Sequence, residues 1–531
     1  MPLTLTNLVI RLSNFRFGLT LMSTLSRAAN RVLKPSAFTL VVGASILFST
    51  GCSESRDQPN IILILADDLG TGDLSVYNPD SLVRTPNIDS IAAAGLMFTD
   101  AHSPSSVCAP TRYSLLSGNY PWRGAHPWGG WSFTQGTAFK SDQLSLAKLL
   151  KATGYQTAMF GKVHLGAEPV YKSGVSAEAV KWRTAFTDFE IDQPLRGGPK
   201  ALGFDFSFTA QGGIQAPPFA FFENDLLIAP ESELTHFSPG TYQFETGVSV
   251  IPKIKGDWTP ERWWGEAGWQ SHEFEGRLLG KLLGYLGDWV EASSGKPFFI
   301  YYAPSAVHTP HTPPNFFSGN AVRGKTPTLH LDMVLHLDQV VGEILNFLRE
   351  KDLVRNTLII FASDNGGLKE SAATGHRSNG EFRDYKGTVW EGGHRVPLIV
   401  SWPDGDVPAG VSVGSLTGLQ DVYATLTEIA GAQIPSNQAL DSISFLPQLM
   451  EPESLNRKDM MFQSTKKDAR LAFRVGDLKL ITDLKRNPIE LYDLSVDLSE
   501  QNNLMEDPDY ASDIEKLAAR FIDVYPERLL R

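Results

Sequence analysis

The chain has 531 residues, of which 42% are hydrophobic and 20% charged, a composition typical of a folded globular protein and not of a disordered one. Its net charge of −12 argues against a nucleic-acid partner, because neutralising phosphates requires a surplus of lysine and arginine. The length predicts two or three domains.

The N-terminal segment has the pattern of an export signal. The first 53 residues contain arginines and a lysine but no acidic residue, and an apolar run at 37–48 precedes Ser49-Thr50-Gly51-Cys52. This order of basic, apolar and small residues is typical of a secretory signal, and the apolar run is too short to span a bilayer comfortably. Residues 1–52 are therefore predicted to direct export of a bacterial protein that is periplasmic, secreted or attached to the cell surface.

Two details of this segment leave alternatives open. Gly51-Cys52 resembles the end of a bacterial lipobox, although Ser49 departs from the usual aliphatic residue. Lipidation of Cys52, which would be the one means of membrane attachment, and plain cleavage nearby are therefore both considered. The basic region is unusually long, so Met22 is an alternative start.

Four apolar runs, at 61–66, 156–161, 298–302 and 358–362, predict buried strands of a parallel sheet. Polar residues follow each run: Asp67 and Asp68, Lys162 and His164, His308, and Asp364 and Asn365. Open α/β sheets bind ligands beyond the carboxyl ends of their strands, so these side chains are expected to meet in one crevice. The predicted fold is α/β, with a large and mostly parallel sheet.

Helical patterns separate these strands and predict a sheet sandwiched by helices. Residues 141–153 and 331–351 carry aliphatic residues at helical spacing, and the first helix is expected to stop at Gly154. The segment 170–275 is rich in glycine, proline and aromatic residues with weak periodicity. It is predicted to be a loop-rich specificity region over the active edge of the sheet.

The chain after residue 440 has a different pattern. Residues 471–475 and 478–482 flank Gly476-Asp477, which predicts a hairpin, and a helix is expected near 512–524. The predicted organisation is an α/β catalytic domain at 53–440 and a small subdomain at 441–531, built from an antiparallel sheet and a C-terminal helix.

The most informative segment is Ser106-Val107-Cys108-Ala109-Pro110-Thr111-Arg112, a Cys-x-Pro-x-Arg frame. If this segment is helical, Arg112 lies on the same face as Cys108, four residues earlier. Cys52 and Cys108 are the only cysteines of the chain, and each has a better explanation than a disulfide between them.

Hard oxygen ligands come from two separate strand ends. Asp67 and Asp68 follow one run, and Asp364 and Asn365 follow another; such a set suits calcium or magnesium better than zinc, which prefers nitrogen and sulfur. An Asp-Asp pair alone would more often cap a helix. The neighbouring motifs favour a metal site.

Basic residues lie in short glycine-flanked loops beyond strand ends. Lys162 and His164 occupy Gly161-Lys162-Val163-His164-Leu165-Gly166, and Lys386 opens a loop that ends at Gly393. A single lysine is ordinarily a solvated surface charge, and a single histidine a satisfied polar residue. Their placement favours a role in the site over that ordinary explanation.

Taken in order, these motifs resemble the type I sulfatases, the formylglycine-dependent, calcium-binding branch of the alkaline-phosphatase-like superfamily. The resemblance covers about residues 60–504 and ends on Glu490-Leu491-Tyr492-Asp493-Leu494. It is nearest to galactosamine-6-sulfatase-like members, to which the stretch 219–225 is also similar. The resemblance implies an alkaline-phosphatase-like fold.

The resemblance also implies a role for each motif. Cys108 would be converted to formylglycine, whose hydrate is the nucleophile that forms a covalent sulfo-enzyme, and Arg112 would stabilise the ionised hydrate. Lys162 and Lys386 would hold the sulfate oxygens, His308 would protonate the leaving oxygen, and His164 would deprotonate the second hydroxyl. One Ca²⁺ would be bound by five residues: Asp67, Asp68, the residue derived from Cys108, Asp364 and Asn365.

Other histidines and the tryptophans have two interpretations each. His311 is a rival to His308, which fits the family frame better; His376 and His394 are expected on the surface or behind the site. The tryptophans are either sugar-stacking platforms or buried core residues, and their glycine-rich surroundings favour exposure: Trp122, Trp128, Trp131, Trp258, Trp263, Trp264 and Trp269.

The sequence therefore predicts a sulfatase that acts on a sulfated carbohydrate and depends on a formylglycine-generating maturation enzyme. One alternative is a phosphate or phosphonate monoester hydrolase of the same superfamily. Another is a non-catalytic lipoprotein that binds sulfated glycans, against which the complete set of expected catalytic positions argues.

Overall fold

The computed structural model describes residues 58–128, 131, 133–176, 185–237, 263–455, 457–465 and 470–524, all within one compact unit spanning Asp57–Arg531. The predicted export signal, the lipobox cysteine and Trp258 lie outside the described residues. No helix among the described residues is long and apolar enough to cross a membrane.

The strands follow one another along the chain in this order: β1 Asn60–Ala66, β2 Leu96–Phe98, β3 Ala101–His102, β4 Gln156–Lys162, β5 Phe206–Ala210, β6 Phe222–Glu223, β7 Leu226–Leu227, β8 Leu234–His236, β9 Trp264–Glu266, β10 Phe298–Ala303, β11 Phe316–Phe317, β12 Asn320–Ala321, β13 Thr357–Ser363, β14 Leu398–Ser401, β15 Val411–Val413, β16 Thr417–Gly418, β17 Asp459–Gln463, β18 Arg470–Val475, β19 Leu478–Asp483 and β20 Pro488–Asp493.

The α-helices among the described residues are α1 Pro86–Ala93, α2 Cys108–Ser117, α3 Leu146–Ala152, α4 Phe274–Ala292, α5 Leu329–Glu350, α6 Glu391–His394, α7 Asp421–Ile429, α8 Leu446–Met450 and α9 Ala511–Val524.

Ten strands form the large sheet, in the order β15-β2-β14-β13-β1-β10-β4-β5-β6-β7. Its centre, β13-β1-β10-β4-β5, is parallel throughout, and antiparallel pairs lie towards both edges. The central strand β1 is buried along its whole length, which is why it reads as a continuous apolar run in the sequence. The predicted mostly parallel sheet is confirmed.

The two faces of this sheet bury separate cores. Along β1, Ile61, Leu63 and Leu65 pack into one core with residues of α2, α3 and α7. Ile62 and Ile64 point to the other face and pack with residues of α1, α4 and α5. Because alternate strand residues face opposite sides, helices cover both faces, as predicted.

The C-terminal part forms a second, antiparallel sheet in the order β17-β18-β19-β20. Its hairpin β18–β19 turns at Gly476, whose φ of 58° is a left-handed conformation that glycine adopts without strain. Leu517 and Phe521 of α9 pack into the core of this sheet. The predicted small antiparallel sheet and C-terminal helix are confirmed, and the domain boundary at residue 440 stays a prediction.

The first predicted helix is five residues too long at its start. Residues 141–145 are not helical, and α3 begins at Leu146 because the Ser145 side chain accepts the N–H of Lys148 as an N-cap. Gln143 lies in a turn, from which its side chain donates to the hydroxyl of Tyr113. The helical spacing of aliphatic residues did not mark the start of the helix, which the Ser145 cap determines.

In its described residues, the segment predicted to be loops, 170–275, contains five short strands, β5 to β9, as well as loops. Of the two interpretations of its tryptophans, the exposure that their surroundings favoured was wrong for those described. Trp263, Trp264 and Trp269 are at most 4% exposed, and Phe219 and Phe221 are fully buried. Phe219 stacks on Trp263, and both pack into the core that also contains Ile62 of β1. Trp264 lies in a separate buried cluster with Phe133 and Phe189.

Trp122 and Trp131, which precede this segment in the sequence, are buried as well, at 2% and 3% exposure. Trp122 stacks on Tyr120 with ring centroids 4.5 Å apart, and Trp131 lies edge-on to Tyr113. Trp128 is half-buried. Core packing is therefore the correct interpretation for the buried tryptophans, and none of them offers a face for stacking on a sugar.

Candidate active site

The ends of four adjacent strands bring the predicted site residues together. Asp67 and Asp364 follow β1 and β13, which pair in parallel with Ala66 beside Ser363. Lys162 ends β4, and His308 follows β10, the strand between β4 and β1. Since the carboxyl ends of parallel strands meet at one edge, residues scattered over three hundred positions become neighbours.

Helix α2 brings the cysteine motif to the same edge. Cys108 is its first residue and Arg112 lies one turn later, and both side chains are buried. The Arg112 guanidinium donates from Nε and one terminal nitrogen to Asp364 Oδ2, at 2.9 and 2.6 Å. It also donates to the carbonyl oxygen of Lys162 at 3.3 Å. The expected shared face of Cys108 and Arg112 is thus observed.

Three carboxylates face three cations in this cluster. Lys162 Nζ lies 2.6 Å from Asp67 Oδ2, Lys386 Nζ pairs with Asp68 Oδ1, and Arg112 pairs with Asp364. Burial alone would raise the pKa of Asp67, but the surrounding cations, Lys162 first, lower it overall. Burial and the nearby Asp67 charge raise the pKa of Asp364 to about 7.

A set of oxygen atoms beside these pairs has no hydrogen-bond partner within the described part of the chain. They are the buried atoms Asp67 Oδ1, Asp68 Oδ2 and Asn365 Oδ1. The Asn365 amide nitrogen donates to Asp68 Oδ1 at 2.8 Å, which leaves its own oxygen unpartnered. Buried acceptors are costly when unpaired, so this arrangement fits a cation held by oxygen ligands.

The donor set suits calcium. Ligand atoms of Asp67, Cys108 and Asp364 lie within 4.8 Å of one another, as do those of Asp67, Asp68 and His308. Carboxylate and amide oxygens are typical ligands of Ca²⁺, and a divalent cation would oppose the repulsion that raises the pKa of Asp364. The predicted ligands Asp67, Asp68, Asp364 and Asn365 are thus placed together beside Cys108.

Cys108 contacts a histidine across the site. Its Sγ lies 3.4 Å from His164 Nδ1. Burial raises the pKa of the Cys108 thiol, so an unmodified cysteine here is a poor nucleophile. Burial and the nearby Lys162 and Arg112 lower the pKa of His164 well below its usual range, so this imidazole is neutral and can accept a proton.

His308 is oriented by its own loop. Its Nδ1 lies 2.6 Å from the carbonyl oxygen of Thr309, to which it donates, and Nε2 faces Asp68 Oδ2 at 3.4 Å. Burial lowers the pKa of His308 to about 4. An anionic group bound nearby would favour the protonated ring.

The backbone conformation at this edge is unusual at two non-glycine positions. Asp68 has a φ of 64° and His164 a φ of 48°, both in the left-handed region that non-glycine residues rarely adopt. Backbone strain of this kind is found preferentially at functional sites. It points the two side chains into the cluster directly after their strands.

Sequence reasoning missed the residues that support the site from behind. Gln215 accepts from Lys162 Nζ at 2.9 Å, and Ser363 bridges the N–H of Leu69 and the carbonyl of Asn365. Gly213 has a φ of 64°, and a Cβ there would lie 2.3 Å from Ser305 Oγ. No local motif marks Gln215 or Gly213, because their contacts come from distant parts of the chain, whereas Ser363 directly precedes Asp364.

The other histidines lie outside the cluster. His376 Nε2 bonds to Asp73 Oδ1 at 2.8 Å, and the His311 ring packs on His330 with centroids 5.2 Å apart. His394 is fully buried beside His102, and His376 is buried as well. Of the two places expected for them, the surface is therefore excluded.

A lysine lies between the members of a second group of residues of metal-binding types, His102, Glu391 and His394. Lys479 Nζ lies 2.9 Å from Glu391 Oε1 and 3.0 Å from His394 Nε2. The ammonium group therefore takes the place that a cation would need. This group joins β3 and α6 to strand β19 of the C-terminal sheet.

Comparison with known proteins agrees with this geometry. The sulfatase family model matches residues 59–432, and the model described as N-sulphoglucosamine sulphohydrolase, C-terminal, matches residues 380–526. The N-acetylgalactosamine-6-O-sulfatase of Bacteroides thetaiotaomicron is 30% identical over 521 residues, which cover 88% of this chain and 94% of that protein. Human N-acetylgalactosamine-6-sulfatase is 30% identical over 445 residues, 81% and 72% of the two chains.

A solved structure from work on the metabolism of multiple glycosaminoglycans by Bacteroides thetaiotaomicron has a TM-score of 0.74 and 27% identity, covering 88% of this chain and 99% of that one. The phosphonate monoester hydrolase of Agrobacterium radiobacter shares the fold at a TM-score of 0.56 and 19% identity, with 88% and 95% covered. The chain belongs to the sulfatase family, the sulfuric ester hydrolases of the alkaline-phosphatase-like superfamily.

Proposed function

We propose that this protein hydrolyses sulfate esters of a sulfated carbohydrate, with a formylglycine derived from Cys108 and one Ca²⁺. The observation that carries the proposal is the group of buried, unpartnered oxygens of Asp67, Asp68 and Asn365 beside Cys108. Three cations surround it, so that adding a divalent ion gives the site the positive charge that an anionic sulfate ester requires.

Two groups would supply chemistry that the twenty side chains lack. Asp67, Asp68, Asp364 and Asn365 would hold calcium, which would supply a Lewis acid to a sulfate oxygen. A formylglycine hydrate at position 108 provides the attacking hydroxyl, which replaces the thiol whose pKa burial raises.

The chain's own residues bind the sulfate and move protons. Lys162 and Lys386 bring positive charge to the sulfate oxygens, where charge accumulates as sulfur is attacked. Arg112 stabilises negative charge at position 108, with its guanidinium fixed by Asp364. These cations are preorganised by the carboxylates around them, so they need little rearrangement during the reaction.

Two histidines have opposite tasks. His308, with Nδ1 anchored on Thr309 and Nε2 towards the site, delivers a proton to the leaving oxygen as the S–O bond breaks. His164, neutral and 3.4 Å from Cys108 Sγ, accepts a proton from the side chain at position 108. His164 is in contact with the side chain at position 108, as a general base must be with the group that it deprotonates.

The relatives suggest the first substrates to test. Two relatives at 30% identity are named for N-acetylgalactosamine 6-sulfate, so the 6-sulfate of an amino sugar is the first candidate. We also propose that residues 1–52 direct export and that a formylglycine-generating enzyme of the host matures Cys108. Cell fractionation of the Cys52→Ser variant separates lipid attachment from simple cleavage.

The test measures release of inorganic sulfate and phosphate by protein produced together with a formylglycine-generating enzyme. The substrates are sulfated mono- and oligosaccharides, an aryl sulfate, and phosphate and phosphonate monoesters. We expect sulfate release to exceed phosphate release, concentrated on one class of sugar, and Cys108→Ala to abolish it while the protein stays folded. Dominant phosphate or phosphonate turnover would instead assign the other reaction of this superfamily.

A further inference from the structure

Glu275, the second residue of α4, is a buried carboxyl group that contacts the histidine loop. It is 3% exposed, and its Oε1 accepts two consecutive backbone N–H groups, from Ser305 at 2.8 Å and Ala306 at 2.9 Å. Its Oε2 is buried and has no hydrogen-bond partner among the described residues. Nothing in the sequence around Glu275 resembles a site motif.

The two N–H groups belong to the loop that leads from β10 to His308. In the same loop, the N–H of His308 donates to the carbonyl of Ser305 at 2.9 Å. The carbonyl of Ala306 accepts the N–H of Asp67 at 3.0 Å, and the N–H of Val307 donates to the carbonyl of Asp67 at 2.7 Å. This short loop therefore ties a calcium ligand to the catalytic histidine, and Glu275 holds it from behind.

A carboxyl group is an expensive choice for this position, because burying one without full pairing costs free energy. Burial raises the pKa of Glu275 to about 8, and no cation pairs with it among the described residues. Two backbone N–H groups bound to one oxygen are the compensation that the structure provides. A purely apolar side chain would leave both N–H groups unpaired.

We propose that Glu275 is a positioning residue for His308: by binding the N–H groups of Ser305 and Ala306 it fixes the loop so that the imidazole reaches the leaving oxygen. This inference rests on the proposed function. It predicts that loss of Glu275 slows hydrolysis of a sugar sulfate more than that of an aryl sulfate. The reason is that proton delivery by His308 matters for a poor leaving group such as a sugar hydroxyl and much less for a phenolate.

The experiment compares kcat on a sugar 6-sulfate and on 4-nitrophenyl sulfate for formylglycine-containing wild type, Glu275→Ala and Glu275→Gln. For Glu275→Ala we expect the loss on the sugar sulfate to exceed the loss on the aryl sulfate by at least about 10-fold, as general acids contribute 10²–10⁴-fold. Glu275→Gln keeps an acceptor oxygen and should restore most of the turnover. In a His308→Ala background, Glu275→Ala should add no further selective loss.

Asp338 provides a matched control, since this buried carboxylate of α5 likewise accepts two consecutive N–H groups, of Asn87 and Ile88. Asp338→Ala should change kcat on the sugar sulfate and kcat on the aryl sulfate by the same factor. If Glu275→Ala does not fold, Glu275→Asp, which withdraws the carboxylate by one methylene, takes its place.

An equal loss on both esters, or no loss on either, in an active background would overturn the positioning role and leave the proposed function intact. A wild-type protein that carries formylglycine but releases no sulfate from either ester would overturn the proposed function itself, and the positioning role with it.

Discussion

Two buried clusters of this protein contain the same types of side chain but differ in how their atoms are paired. One lies at the carboxyl ends of the central strands, around Asp67, Asp68 and Asp364. The other joins α6 to the C-terminal sheet, around Glu391, His394 and Lys479. Each contains at least three residues of the types that bind metal ions, with their ligand atoms close together.

The second cluster satisfies its charges internally. Lys479 Nζ contacts Glu391, Glu500 and His394 at 2.8–3.0 Å, and His102 and His394 face each other through Nδ1 atoms 3.0 Å apart. On the far side, His102 Nε2 bonds to Asp100 at 2.8 Å. Burial lowers the pKa of both histidines, so both are neutral links in a chain of hydrogen bonds.

The first cluster retains acceptor oxygens without a hydrogen-bond partner among the described residues. It lies next to Cys108 and to two half-buried histidines, His164 and His308. The comparison teaches that residue types alone do not separate a reactive site from a structural one. Among the described residues, the two clusters differ in that ligand oxygens of the first stay without a hydrogen bond, although Lys162 and Lys386 lie beside them. Substitutions in the first cluster should therefore lower activity, and substitutions in the second cluster should lower stability.

The largest effect is expected for Asp68→Asn. It removes one negative ligand and one unpartnered oxygen, so calcium affinity and kcat should each fall at least about 100-fold, since even changes behind a metal site cost 10–100-fold. Calorimetric titration with Ca²⁺ and sulfate-release assays measure both. Asp338→Asn, a buried carboxylate in another part of the fold, is the control; unchanged calcium affinity in Asp68→Asn would remove Asp68 from the ligand set.

Lys479→Met should act on stability instead. Removing the ammonium leaves Glu391 and Glu500 buried without their shared cation, and breaking a buried pair in this way costs about 3–5 kcal/mol. Urea unfolding measures this loss. Calcium affinity per folded molecule should stay within a few fold of wild type; a variant as stable as wild type would show that the cluster is not structural.

The stability of Glu275→Gln relative to wild type should depend on pH. Burial raises the folded-state pKa of Glu275 from 4.5 to about 8, so between these values the folded protein keeps a proton that the unfolded chain releases. Stability from this group is present at low pH and is lost as pH rises towards 8. Glu275→Gln lacks this loss, so its stability relative to wild type should improve between pH 5 and pH 8, as urea unfolding at both values can show. A constant difference would contradict the raised pKa.

The smallest effect is expected for Lys516→Met in α9. Lys516 pairs with Asp513 at 3.1 Å, but its side chain is 72% exposed, and exposed pairs contribute about 0–1 kcal/mol. Its unfolding free energy should match wild type within about 0.5 kcal/mol. This variant is the exposed counterpart of Lys479→Met, and a loss as large as that of Lys479→Met would mean that burial does not decide the outcome.

The sequence predicted the sheet centre, and the convergence of polar side chains at its edge, for a physical reason. Strands such as β1 and β13 are buried on both faces, so they appear as uninterrupted apolar runs, and Asp67 and Asp364 follow directly at their ends. Their convergence then follows from parallel pairing. The left-handed conformations of Asp68 and His164 carry no comparable signal.

Other features depended on contacts that no local pattern records. The start of α3 was set by the Ser145 cap, and Trp264 is buried by residues from other parts of the chain, Phe133 and Phe189 among them. The Lys479 cluster combines positions from 100 to 500, and Glu275 reaches Ser305 across thirty residues. Such partners become visible only when the chain is folded.

The most direct test of the sulfatase proposal compares one sequence in two states: protein produced with a formylglycine-generating enzyme and protein produced without it. The conversion of Cys108 is quantified by mass spectrometry of its peptide, and sulfate release from a sugar 6-sulfate is measured in the presence of Ca²⁺. We predict that activity rises in proportion to the converted fraction and is absent when Cys108 is unmodified. Equal activity of the two preparations would contradict the proposed nucleophile and with it the mechanism.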